Sequence, residues 1–209
     1  MPAIGITGGI STGKSTFCRC LLALLPDAKF FDADKAARVL TEADAEVRAR
    51  IRETFGPELY SEAGDLNRAG LRAIILKDAT KRVALEQILH PRIRSQWSAE
   101  AKRYRNSSEF FFADIPLLYE AGGETLCDRV IVVACAPAIQ LQRLLARRSS
   151  GRSALTEGEA MSMIQAQMPL EEKINRADHV IWNNDGESLL SEQALDVVNL
   201  WRTKSWKAK

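Results

Sequence analysis

Residues 4–16 read IGITGGISTGKST, and the nine positions 8–16 hold three glycines, one lysine and four hydroxyl side chains directly after a short apolar run. Within them, Gly8-Gly9-Ile10-Ser11-Thr12-Gly13-Lys14-Ser15 satisfies G-x-x-x-x-G-K-[ST]. Each residue type has a reason. Glycine lets the backbone bend so that successive N–H groups point at phosphate oxygens. Lysine reaches the β- and γ-phosphates, and the serine hydroxyl suits a magnesium ligand. A helix starting here adds the positive end of its dipole. The competing explanation is a flexible glycine-rich turn. The strand-like run before the motif and the helical pattern after it favour a phosphate-binding loop.

That loop needs a sheet behind it, and the chain supplies the pattern. Strands are expected at 3–7, 28–32, 109–114, 129–135 and 178–183, as short, nearly continuous apolar runs. Helices are expected at 15–25, ended by Pro26, at 138–148, at 157–167, stopped by Pro169, and at 188–201. The first should present Phe17, Leu21, Leu24 and Leu25 on one face. Residues 34–105 read as largely helical, broken at FGPEL (55–59), EAGDLN (62–67) and HP (90–91). Alternating strands and helices with unbroken apolar strands indicate a parallel sheet covered on both faces. Ligands of such sheets bind at the carboxyl ends of the strands, which is where residues 8–15, 32–34 and 114–116 fall.

Three further groups carry candidate chemistry. Asp32-Ala33-Asp34 closes the second strand. Either carboxylate could cap the following helix, or one could accept a proton from a substrate hydroxyl. Phe110-Phe111-Phe112-Ala113-Asp114 resembles a strand ending in a magnesium-binding carboxylate; its structural alternative is a local hydrogen bond. Arg143, Arg147, Arg148 and Arg152 lie within ten residues. Arg143 and Arg147 are four apart and would share a helix face. They could form a solvated basic face, or stabilise charge during phosphoryl transfer. His90-Pro91 reads first as a bend, and Trp201 and Trp206 as core-packing residues.

Composition narrows the classes. At 46% apolar and 27% charged residues, the chain is ordinary for a globular protein. A net charge of +2 is too small to argue for nucleic acid or a membrane surface. No apolar run approaches the ~18 residues of a membrane span, and no leader pattern opens the chain, so the expected location is cytoplasmic. Cys18, Cys20, Cys127 and Cys135 form no C-x-x-C pair, and inert reduced thiols are expected.

Taken in order, these motifs resemble the dephospho-CoA kinase family. The likeness runs through ITGGI-STGKS, FDAD at 31–34, FG at 55–56, LNRAGLR at 66–72, LEQILHPRIR at 85–94, DIPLLYE at 114–120, QLQRLLAR at 140–147 and AQMPLEEKINRADHVIWNNDG at 166–186. It covers the chain from Ile4 to about Gly186. The resemblance implies an α/β, three-layer P-loop kinase fold with a five-stranded parallel sheet, a helical substrate-binding insertion and a lid. It implies a nucleotide-binding core at 1–39, 108–147 and 173–209, a dephospho-CoA-binding insertion at 40–107 and a lid at 148–172, hinged near Arg147.

The implied activity is transfer of the ATP γ-phosphoryl group to the 3′-hydroxyl of dephospho-CoA, the last step of coenzyme A synthesis. A kinase for a nucleoside or nucleotide is the alternative. A GTP-dependent switch would need N-K-x-D, and Asn183-Asn184-Asp185-Gly186 lacks the lysine. Carried over by position, Lys14, Asp34, Arg143 and Arg147 are the catalytic candidates, with Asp34 the base. ATP would meet Gly8, Gly9, Ser11, Thr12, Gly13, Lys14, Ser15, Thr16, Arg143, Arg147 and Asn183, the last beside an adenine-side loop. Dephospho-CoA would meet Asp34, Arg68, His90, Asp114 and Leu117, and Mg²⁺ would meet Ser15 and Asp114. No nucleic acid, membrane or obligate protein partner is implied. Two features depart from the family pattern. Ser11 stands where a glycine is usual, and RRSSGRSALT replaces R-D-x-L-S after the arginine-bearing helix.

Overall fold

The structure is a computed structural model that describes residues 3–104, 109–147 and 155–203. It divides into two compact units, one of residues 1–31 and 101–209, the other of residues 32–100. The first unit is built on strands β1 (Ala3–Gly8), β2 (Lys29–Asp32), β3 (Phe111–Asp114), β4 (Arg129–Ala134) and β5 (His179–Trp182). They form one parallel sheet in the order β2-β3-β1-β4-β5. Ile4 of β1 stands beside Phe112 of β3 on one side and Arg129 of β4 on the other. The chain therefore builds outward from β1 in one direction and then in the other. The carboxyl end of β1 is the switch point where such sheets bind ligands.

Side-chain alternation explains the layers. Ile4, Ile6, Phe112, Ile131, Val133 and Ile181 point to one face, where α1 (Lys14–Leu24) and α9 (Glu187–Thr203) cover them with Phe17, Leu21, Leu190, Val198 and Trp201. Trp201 stacks obliquely on Phe110 and Phe112 and is fully buried, as expected. The opposite face carries Gly5, where any added β-carbon would press on Cys127 and Leu118. Among the described residues, the remaining α-helices of this unit are α6 (Pro137–Ala146), α7 (Glu157–Gln165) and α8 (Leu170–Arg176). The α8 helix was not expected. Pro169, read as a stop after α7, instead opens α8 as its N-cap, a tolerated place for a residue without an N–H.

The second unit is helical: α2 (Ala33–Ala43), α3 (Ala45–Phe55), α4 (Arg68–Lys77) and most of α5 (Ala79–Tyr104). Its core is Leu40, Val47, Ile51, Phe55, Leu59, Tyr60, Leu71 and Ile88. Breaks fall at 56–67 as expected, where Gly56 and Gly64 take positive φ. The break expected at His90-Pro91 does not occur, because α5 runs through both residues. Proline forfeits one intrahelical bond, and the long flanking turns carry the helix past it. Two unpredicted breaks are set by aspartates acting as caps. Asp44 accepts from Val47 N at 2.9 Å, and Asp78 accepts from Thr80 N at 2.8 Å. Asp78 also accepts from Lys81 N at 3.2 Å, and this bond chiefly, with that from Thr80, holds its carboxyl below its usual range.

Among the described residues, no helix is long and apolar enough to cross a membrane. All four cysteines are free thiols. Burial pushes Cys127 up to about 12 and also raises Cys135, so neither presents a thiolate.

Candidate active site

The phosphate loop joins β1 to α1 and is shaped by close contacts. Gly13 is the N-cap of α1 with φ 98°, and an added β-carbon would collide with the Asn183 amide. Gly8 lies against the Val133 carbonyl. Thr12 is fully buried and donates its hydroxyl to Gly9 O at 2.9 Å. The first turn of α1 holds no acidic side chain, like those of α4, α5 and α6 and unlike those of α2, α3, α7, α8 and α9. The positive helix end is therefore left for an external anion.

Lys14 and Asp114 meet at the carboxyl ends of β1 and β3. The ammonium donates to Asp114 Oδ1, and both side chains are largely buried. Ser15 and Thr16 follow in the first turn of α1, with Ser15 exposed. Leu117, in the turn after β3, is half-buried.

Ser11 is the single non-glycine with positive φ among the described residues, at 60°. Its hydroxyl is buried without a hydrogen-bond partner. The left-handed conformation costs a β-carbon residue roughly 1–2 kcal/mol, so something must hold it. The preceding residue is pinned at both ends: Gln140 Nε2 donates to Ile10 O at 2.9 Å, and Ile10 N donates to Gln167 Oε1 at 2.9 Å.

Asn183 follows β5 and is buried. Its amide nitrogen donates to Thr12 O at 2.9 Å, and its own carbonyl accepts from Arg143 Nη1 at 2.8 Å. Arg143 therefore stands over the end of β5 and beside Cys135. The helix-face argument does not extend to Arg147. The α6 helix ends at Ala146, and Arg147 is its C-cap with extended backbone and an exposed side chain. Arg148, Arg152 and Trp206 lie outside the described residues.

In the helical unit, the Asp32–Asp34 ambiguity resolves in part. Asp32 is the cap, accepting from Lys35 N at 2.9 Å. Asp34 lies in the first turn of α2 with an exposed side chain. Arg68 opens α4 and pairs with Glu42 at 2.6 Å, both exposed. His90 is half-buried in α5.

Gln140, Gln167 and Lys173 were missed. All three lie in the runs QLQRLLAR and AQMPLEEKINRADHVIWNNDG that carry the family resemblance, but the bonds they make span 130, 157 and 165 residues of sequence, so their partners could not be read locally.

A family model described as "CoaE: Dephospho-CoA kinase" matches residues 2–188. A dephospho-CoA kinase of Bacillus cereus is 39% identical over 204 residues, covering 97% of this chain and 96% of that protein. One from Carboxydothermus hydrogenoformans is 36% identical over 210 residues, covering 100% and 98%. Among solved structures, TT1252 from Thermus thermophilus superposes with TM-score 0.75 at 32% identity, covering 97% and 98% of the two chains. Dephospho-CoA kinase from Campylobacter jejuni gives 0.69 at 27% identity, covering 94% and 95%. A shikimate kinase of Acinetobacter baumannii, at 0.52 and 18% identity, shares the fold.

Proposed function

The chain belongs to the dephospho-CoA kinase family, and from that membership we propose that it transfers the ATP γ-phosphoryl group to the ribose 3′-hydroxyl of dephospho-CoA, giving coenzyme A and ADP. The observation that carries the reading is the pairing of Lys14 with Asp114 beneath a glycine-shaped loop and an acid-free helix start. That arrangement supports binding of a polyphosphate; the family supplies the acceptor.

In this reading Gly8, Gly9, Ser11, Thr12, Gly13 and Thr16 offer the phosphates backbone and hydroxyl donors, and Lys14 exchanges Asp114 for the β- and γ-oxygens. Arg143 and Arg147 meet the charge that spreads over the transferring group. Asn183 acts from behind, holding Thr12 in place. Asp34 accepts the proton of the 3′-hydroxyl, while Asp32 caps the helix. Arg68, His90, Asp114 and Leu117 contribute on the dephospho-CoA side. Most of the rate then comes from positioning and charge neutralisation, as befits phosphoryl transfer.

The donor set also fits magnesium. Asp114 and Ser15 are hard oxygen donors at the end of β3 and the start of α1. Mg²⁺ typically takes one or two carboxylates together with phosphate oxygens and water. Among the described residues, no three His, Cys, Asp or Glu side chains form a cage that would hold a metal without such help. Bound there, the ion would neutralise charge on the β- and γ-phosphates. A reaction that draws on ATP and small-molecule acceptors suits the cytoplasm.

The test is ADP release from ATP with dephospho-CoA, adenosine, AMP or a pantothenate derivative as acceptor. Turnover with dephospho-CoA alone is expected; turnover only with adenosine or AMP would make this a nucleoside or nucleotide kinase.

A further inference from the structure

Lys173 is the one fully buried cationic side chain among the described residues. Its ammonium has three N–H donors and three oxygens around it: Glu120 Oε1 at 2.8 Å, Pro116 O at 3.2 Å and Gly8 O at 3.4 Å. Each acceptor is itself fixed. Pro116 O also accepts from Thr7 Oγ1 at 2.9 Å, Glu120 Oε1 from Met168 N at 2.9 Å, and Gly8 is pressed against the Val133 carbonyl.

The segments so joined matter. Gly8 is the first residue of the phosphate loop, and Pro116 stands two residues after Asp114. Lys173 thus bolts together the two strand ends that carry Lys14 and Asp114. A buried ammonium is a costly way to join two carbonyls, because well-packed apolar residues would avoid its desolvation. Stability alone gives little reason to keep it.

We propose that Lys173 is a positioning residue for phosphoryl transfer: it fixes the phosphate loop relative to the Asp114 strand end, so that the loop is set for polyphosphate before the ligand arrives. This rests on the kinase reading above. Glu120 serves as its counter-charge and holds the ammonium in register.

The experiment is calorimetric titration of ATP, and separately of adenosine, into purified Lys173→Met, with circular dichroism confirming the fold. No acceptor is present, so the outcome is independent of whether dephospho-CoA is the substrate; wild-type turnover decides that. ATP affinity should fall at least about tenfold, the scale of one hydrogen bond from a charged group. Adenosine, which lacks the phosphates, should bind as to wild type. ATP affinity within threefold of wild type, or equal losses for ATP and adenosine, would overturn the proposal. Should Lys173→Met not fold, Glu120→Gln takes its place, keeping an oxygen acceptor but losing the charge. About threefold weaker ATP binding with unchanged adenosine binding is then expected, and unchanged ATP binding overturns it.

Discussion

The phosphate loop and the helical unit are held by opposite means. The loop is gripped by side chains from far along the chain: Gln140, Gln167, Lys173 and Asn183 each bond to its backbone. The helical unit is held mostly by local devices, with Asp32, Asp44 and Asn67 capping successive helices over a single apolar cluster. Its ion pairs, such as Arg68–Glu42 and Arg92–Asp44, lie nearer the surface. Polyphosphate binding needs several backbone N–H groups fixed together before the ligand arrives, and preorganisation of that kind is non-local. An acceptor-binding unit can rely on a few side chains presented by ordinary helices.

Substitutions can break this contrast. The largest effect is expected for Lys14→Met, which should lower kcat/KM by about 10³-fold, the upper scale for losing one preorganised electrostatic donor. Steady-state kinetics measure it, and an effect under tenfold would remove Lys14 from the transition state. Asp34→Asn should lose about 10²-fold or more in kcat, as expected for a general base. ATP should still bind, and α2 should keep its cap, because Asp32 supplies it. Arg68→Ala should raise the KM for dephospho-CoA about tenfold, the loss of one charge-assisted hydrogen bond. Its exposed ion pair with Glu42 contributes only ~0–1 kcal/mol to folding. A fall in melting temperature without a KM change would make Arg68 structural.

Ser11→Gly sharpens the contrast from the other side. Relief of the left-handed strain and of the buried hydroxyl outweighs the added freedom of glycine. A net gain of about 1 kcal/mol raises the melting temperature by roughly 2–4 °C in a chain of this size. A lower melting temperature would mean that the Ser11 hydroxyl has a stabilising partner. A last effect, confined to alkaline pH, concerns Cys127, packed on Gly5. Burial chiefly raises its thiol from 9.0 to about 12, so the native state keeps a proton that the unfolded chain releases. This contribution is intact below pH 9, falls as the pH rises from there, and levels off above about 12. Cys127→Ala should flatten that decline in denaturant titrations.

Legibility followed the same division. G-x-x-x-x-G-K-[ST], the β-strands and the terminal Asp114 could be read locally, because each residue type has a chemical reason to occupy its place. The α8 helix was hidden behind Pro169, read as a stop rather than a start. The run through His90-Pro91 depended on a helix long enough to absorb one lost hydrogen bond. Which aspartate of 32–34 caps α2 required coordinates, since both residues suit the role. Lys173 was legible only as a member of the AQMPLEEK run that carries the family resemblance: its place was visible but its partners were not, since only the fold brings Gly8, Pro116 and Glu120 around it.

The most direct test of the central claim follows an isotopically labelled γ-phosphate from ATP into product. Wild-type protein with dephospho-CoA should place the label on the ribose 3′-oxygen, and Asp34→Asn, still binding ATP, should leave it on ATP. Label found on water, or only on an added nucleoside or nucleotide, would contradict the account.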